Sequence, residues 1–254
     1  MPVGATPLAL NLALISAALL GFRHGFDYDH VAAISDIASV QNTPGHAMRT
    51  GLFYALGHAM TVAVLGIAVI LFQLSLPAGI DAWMQRLVGG TLLVLGAYVL
   101  VSSFFGRDHQ HLPRTRILLL LDGMLWCVWR AQQMFSTQAV ERRRMFDGEM
   151  GKTPGFVVGI IHGLGAETPT QLLLFLLAAN LGGISKGLLG LAAFITGMLL
   201  MNTVMCAAAA GLIGASRRRP RAFRLVAGLS AAYSIVLGAV FIAGVPTVSA
   251  LVGR

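Results

Sequence analysis

Arg23-His24-Gly25-Phe26-Asp27-Tyr28-Asp29-His30 continues an apolar run, Leu8 to Phe22, and leads into Val31-Ala32-Ala33-Ile34. Two histidines and two carboxylates therefore fall where hydropathy places lipid or a protein interior. A centrally placed Asp costs about 2.5–3.5 kcal/mol on insertion scales, so such groups face a bundle interior and mark an ion or substrate path. On an ideal helix of about 100° per residue, His24, Asp27 and His30 share an arc of about 120°. Asp29 points away from that arc and is read as a partner that orients a histidine. An imidazole–carboxylate–imidazole face suits a borderline divalent cation. The structural alternative is a set of buried polar residues that satisfy one another. It accounts poorly for four ionisable groups within a turn and a half.

Composition sets the class. Of 254 residues, 56% are hydrophobic and 11% charged, and mean hydropathy is +0.77. Soluble domains carry about 25% charged residues, so an integral membrane protein is expected. The formal charge of +8 does not point to nucleic acid, because thirteen of the eighteen Lys and Arg residues lie in 106–152 and 215–224. That clustering marks topology. Among the acids, Asp27, Asp29 and Glu167 stand within apolar stretches, as do His24, His30, His58 and His162 among the histidines. Cys127 and Cys206 are isolated and form no disulfide framework. The N-terminus lacks a basic region and a clear cleavage site, so its first apolar run is read as a retained helix.

Six spans follow in order: Leu8 to Ile37, Thr50 to Leu74, Trp83 to Phe105, Gly155 to Leu181, Gly187 to Gly214, and Phe223 to Val245. Asn42, Pro44 and Gly45 are expected to break the first loop. The segment 106–153 is polar and basic, and its apolar core, Ile117 to Trp129, has thirteen residues. That is short of the roughly 17–25 needed to cross, so an interfacial helix is expected there. Span four carries His162-Gly163-Leu164-Gly165-Ala166-Glu167-Thr168-Pro169, and a break around a buried Glu167 is expected. Both basic segments are read as cytoplasmic, which puts both termini outside.

A short internal echo accompanies this layout. Gly21-Phe22-Arg23-His24-Gly25 resembles Gly159-Ile160-Ile161-His162-Gly163, and Gly57-His58 aligns with Gly197-Met198. Halves of three spans each must run in opposite senses, as in transporters built from inverted repeats. The expected fold is therefore an all-α polytopic membrane helix bundle of about six transmembrane helices in two inverted three-helix repeats. Its parts are a first membrane half at 1–105, a cytoplasmic linker at 106–153 and a second half at 154–254.

The motif resembles the H-x-x-x-x-D-H signature of the nickel/cobalt transporter family, here His24, Asp29 and His30. Phe53-Tyr54-Ala55-Leu56-Gly57-His58-Ala59-Met60-Thr61-Val62 is similar to that family's F-F-S-L-G-H-S-T-V-V segment, with Ala59 in place of Ser. Leu164-Gly165-Ala166-Glu167-Thr168-Pro169-Thr170-Gln171 resembles L-G-F-D-T-A-T-E, with Glu167 for Asp and Gln171 for Glu. Gly197, Met198 and Thr203 fit G-M-x-L-x-D-T-x-D-G, where Asn202 and Met205 replace carboxylates. The family usually has eight spans and uses its first motif for metal selection and transport. The resemblance implies transport of a divalent metal, nickel or cobalt, with no prosthetic group and no enzymatic activity. Metal-site candidates are His24, Asp27, Asp29, His30 and His58. His162, Glu167 and Asn202 are candidates for supporting or coupling roles. His109-Gln110-His111 is read as a solvated loop.

Expected partners are the metal ion and the lipid bilayer of the cell (inner) membrane. A second copy or metal-enzyme maturation proteins are further options, and nucleic acid is not expected. Two other functions are open to the sequence. His24-x-x-x-x-Asp29 also fits the acid–base pair of glycerolipid acyltransferases, and an accessory membrane protein for metal-enzyme assembly could use polar spans to bind a partner helix.

Overall fold

The computed structural model describes residues 7–72, 79–104, 150–165 and 183–244, which form helices and no strand. In chain order these are α1 (Pro7–His24), α2 (Tyr28–Ser39), α3 (Pro44–Phe72), α4 (Ile80–Phe104), α5 (Lys152–Gly165), α6 (Ile184–Ser216) and α7 (Pro220–Ala243). Helices α3, α4, α6 and α7 are long and apolar enough to cross a membrane. α3, with 29 residues, is about 43 Å long at 1.5 Å per residue, more than the roughly 30 Å hydrocarbon core. The outward faces stay apolar: Leu8, Leu12, Ile15 and Leu19 on α1 and Leu225, Leu229 and Val236 on α7 are exposed. In a bilayer those faces meet acyl chains.

The first span is not the continuous helix that the 100° arc assumed. α1 closes at His24, where the amides of Phe26 and Asp27 bond to the carbonyls of Arg23 and His24 at 2.9 and 3.0 Å. Asp27 then takes an extended backbone and caps α2, although its carboxylate makes no capping bond. Gly25 allows the turn to press against α6, since a Cβ there would lie 2.8 Å from the Met198 carbonyl oxygen. Pro44, expected in the first loop, instead starts a helix. The Thr43 hydroxyl accepts from the His46 amide at 3.2 Å, so Pro44 occupies the first helical position, where its missing N–H costs nothing. Pro220 does the same for α7, which ends on Gly244 in the left-handed region (φ 65°).

Three helix pairs build the bundle: α1 with α6, α3 with α5, and α4 with α7. The first two use matching glycines. A Cβ on Gly21 would overlap the Phe194 carbonyl, and one on Gly159 the Tyr54 carbonyl; Gly197 meets the Ala18 carbonyl as Gly57 meets that of Phe156. Gly25 against Met198 likewise matches Gly163 against His58, at 2.8 and 2.9 Å. The α1-to-α5 matches are all 138 residues apart and the α3-to-α6 matches all 140. The two interfaces thus exchange partners as a two-fold relation requires. On α4 and α7, Gly89 and Gly238 face each other's carbonyls at 2.7 and 2.6 Å from the added Cβ.

One end of the bundle gathers basic residues. Arg217, at the end of α6, donates through Nη2 to the carbonyls of Ser39 and Gln41. Gln41 Nε2 and the Thr50 hydroxyl donate to the Met150 carbonyl at 3.0 and 3.5 Å. The start of α5, the loop after α2 and the Arg217–Arg221 cluster therefore share one end. The expected interfacial helix at Ile117 to Trp129 and the expected break around Glu167 lie outside the described residues.

Candidate metal centre

The α1–α2 break is what assembles the centre. With the chain turned at Gly25 to Asp27, His24 ends one helix and His30 occupies the first turn of the next. His58 comes from α3, fourteen residues from either end of that helix, so it sits near mid-span. His30 and His58 are fully buried and His24 is 4% exposed. Their rings meet at centroid distances of 4.5–5.4 Å.

The nitrogens converge. His24 Nε2 lies 3.2 Å from His58 Nε2, His30 Nε2 lies 3.4 Å from it, and one ligand atom from each residue fits within 4.8 Å of the others. With metal–nitrogen bonds of about 2.0–2.1 Å, tetrahedral neighbours stand about 3.3–3.4 Å apart and octahedral cis neighbours about 2.9 Å. The two spacings to His58 lie in that range.

Carboxylates set the tautomers from behind. Asp27 Oδ2 accepts from His24 Nδ1 at 2.7 Å, and Asp29 Oδ1 accepts from His30 Nδ1 at 3.0 Å. With Nδ1 of each ring carrying the proton, both Nε2 atoms present lone pairs to His58. His58 has one ring proton to give and no hydrogen-bond partner at Nδ1. A proton on its Nε2 serves one neighbour and leaves the other lone pair facing nitrogen; a proton on Nδ1 is orphaned and all three lone pairs meet. Either arrangement is costly in a buried site, and a cation at the convergence point relieves both. Asp27 and Asp29 thus stand behind imidazoles, and the described group that could hold an ion is His24, His30 and His58.

The remaining candidates divide. His162, the counterpart of His24 in the internal match, is fully buried and stands outside the cluster. The Thr91 hydroxyl gives its proton to the Val88 carbonyl at 2.8 Å, so its oxygen accepts from His162 Nε2 at 2.7 Å. His162 Nδ1 is then left to accept from the Tyr54 hydroxyl at 3.2 Å. The free oxygen of Asp29, Oδ2, lies 3.9 Å from the same nitrogen. The Tyr54 ring packs on His162 at 5.5 Å as Phe194 packs on His24 at 5.6 Å, extending the two-fold relation into the site. Asn202 is fully buried with both amide atoms unpartnered, and its Oδ1 abuts Gly25. Glu167 lies outside the described residues.

Tyr54 and Thr91 were not legible as site residues, since only the packing of α3 and α4 against α5 brings them to His162. Asp36 is a different omission. It lies inside the first expected span and is fully buried, so the insertion cost that singled out Asp27 and Asp29 applied to it equally.

The fold and site define a polytopic all-α membrane protein with an imidazole cluster backed by carboxylates at mid-span. Residues 10–106, which contain the whole cluster, match the family described as "High-affinity nickel-transport protein". This stretch of the chain is similar to that family of transport proteins. Across 204 residues the chain is 30% identical to the cobalt transport protein NhlF of Rhodococcus rhodochrous, covering 75% of this chain and 55% of that protein. It is 25% identical over 220 residues to the hydrogenase nickel incorporation protein HupN of Bradyrhizobium diazoefficiens, covering 78% and 53%. The urease accessory protein UreH of Bacillus sp. (strain TB-90) is 27% identical over 93 residues, covering 37% and 41%. The chain spans about half the length of these curated relatives. No solved structure matches it.

Proposed function

We propose that this protein carries a divalent transition-metal ion, nickel or cobalt, across the cell membrane, with His24, His30 and His58 as the intramembrane station. The observation that carries the reading is the meeting of three buried Nε2 atoms, two of them turned inward by Asp27 and Asp29. Imidazole donors favour first-row metals over calcium or magnesium. The substrate ion binds by displacing no proton from His24 or His30, because both protons already sit on Nδ1. The membrane halves 1–105 and 154–254, joined by the basic cytoplasmic segment 106–153, would move against each other around the site. The exchange of partners between the α1–α6 and α3–α5 interfaces supports that division.

The acyltransferase alternative loses its motive here. Its pair needs Asp29 to orient His24, whereas the His24 Nδ1 proton goes to Asp27 and Asp29 accepts from His30. The names of HupN and UreH keep a link to metal-enzyme maturation, as the use to which transported nickel is put.

The test is uptake of nickel, cobalt, zinc and manganese into proteoliposomes. Wild-type protein should accumulate nickel or cobalt, and His24→Ala and His58→Ala should each reduce uptake at least tenfold while still inserting. Wild-type uptake in both variants would overturn the assignment.

A further inference from the structure

Six residues beyond His30 on the same helix, Asp36 is fully buried. It takes part in no ion pair among the described residues. The Ser230 hydroxyl of α7 donates to its Oδ1 at 2.6 Å, and Ser234, one turn further along α7, also approaches the carboxylate. Ser234 is itself fully buried, and its hydroxyl and Asp36 Oδ2 complete no hydrogen bond. Two buried oxygens from facing helices are thus left with unused capacity at one carboxyl group. An isolated carboxylate in such a place is costly by several kcal/mol unless something neutralises it.

The groups on the packed elements do not do so. Arg217 of α6 is directed to the carbonyls of Ser39 and Gln41, a turn beyond Asp36. Tyr233 of α7 donates to the Tyr28 carbonyl at 3.4 Å. His30 is occupied by Asp29 and the cluster, and His162 of α5 by Thr91 and Tyr54. Tyr98 of α4, Cys206 of α6 and Arg49 and His46 of α3 make no ion pair with Asp36. A cleft of about 310 Å³ between α2, α6 and α7, lined by Ser35, Ser39, Ser230 and Tyr233 among others, runs beside the site. Through Ser39 it adjoins the basic end of the bundle.

We propose that Asp36, Ser230 and Ser234 form a second cation site, distinct from the imidazole cluster and built for a single positive charge, a proton or a sodium ion. Its donors are one carboxylate and two hydroxyls, hard oxygens that suit such an ion and give a soft or borderline metal no nitrogen or sulfur. α2 is a 12-residue helix with His30 at one end and Asp36 near the other, so a shift of α2 against α7 on occupancy moves a metal-facing imidazole as well. The site stands on its own geometry, whatever the imidazole cluster carries.

The test uses purified full-length protein in detergent, without nickel. Thermal stability is followed in sodium chloride against choline chloride at equal ionic strength, and infrared spectra are recorded with 13C-labelled aspartate at neutral pH. If sodium occupies the site, sodium alone should raise Tm by several degrees, and the rise should vanish in Asp36→Asn and shrink in Ser230→Ala/Ser234→Ala. If a proton does, an aspartic acid carbonyl band should be present in wild type, absent in Asp36→Asn and shifted in the double serine variant. Should Asp36→Asn fail to fold, the wild-type band and its shift in the serine variant still decide. The absence of both a sodium effect and a protonated aspartate band would overturn the proposal. Because neither readout involves nickel, its failure is separable from failure of the transport reading.

Discussion

Gly159→Ala should disable the metal centre without touching a ligand. The new methyl would overlap the Tyr54 carbonyl oxygen and lie 2.8 Å from its carbon and 2.9 Å from the His58 amide nitrogen. Carbon–carbon contacts relax at about 3.5–4.0 Å, so α3 and α5 must part by at least about 0.7 Å along that line. Metal sites hold their bonds to within about 0.2 Å, and His58 is carried on the displaced backbone. Overpacking of this kind costs about 1–3 kcal/mol, or about 2–12 °C in Tm at 2–4 °C per kcal/mol for a chain of this size. Nickel affinity, measured by calorimetry on detergent-purified protein, should fall at least tenfold. Gly211→Ala is the control, because nothing lies within 4 Å of its added Cβ and alanine suits a helix interior better by about 0.5–1 kcal/mol. Wild-type affinity and Tm in Gly159→Ala, or equal damage in Gly211→Ala, would refute the reasoning.

Asp29→Asn leaves an acceptor for His30 Nδ1 but removes its charge, and nickel affinity should drop about 10–100-fold; titration of the purified variant checks this, and an unchanged constant would free Asp29 of the role. Thr91→Val deprives His162 Nε2 of its acceptor and should cost about 1–3 kcal/mol in stability while nickel affinity at the three-histidine cluster stays within about twofold, as paired melting and binding curves would reveal. Cysteines introduced at positions 110 and 138 should label from the same side of the membrane, since basic residues flank both; labelling from opposite sides would add a span and end the three-plus-three division.

Much of the centre was legible because membranes make buried charge conspicuous. His24 and His30 stood out by cost, His58 by its place beside Gly57 and near the first motif, and the structure brings all three together. The route differs from the one the spacing suggested: a shared helical face was expected, whereas Gly25 and the cap at Asp27 turn the chain between the two histidines. Signals for that turn were present, a glycine followed by an aspartate ahead of a new apolar run, but the uninterrupted hydropathy concealed them. The repeat was a five-residue echo in sequence. In the structure it becomes paired close approaches, because what the halves share is where a side chain must be missing. His162 was a candidate for a supporting or coupling role; Tyr54 and Thr91 occupy both of its nitrogens, and residues on other helices leave no trace in local spacing.

X-ray absorption at the nickel edge of the purified, nickel-loaded protein bears most directly on the three-histidine station. The geometry predicts three imidazole nitrogens at about 2.0–2.1 Å, falling to two in His58→Ala, with the remaining positions filled by oxygen. A shell without imidazole scattering, or one that His58→Ala leaves unchanged, would contradict it.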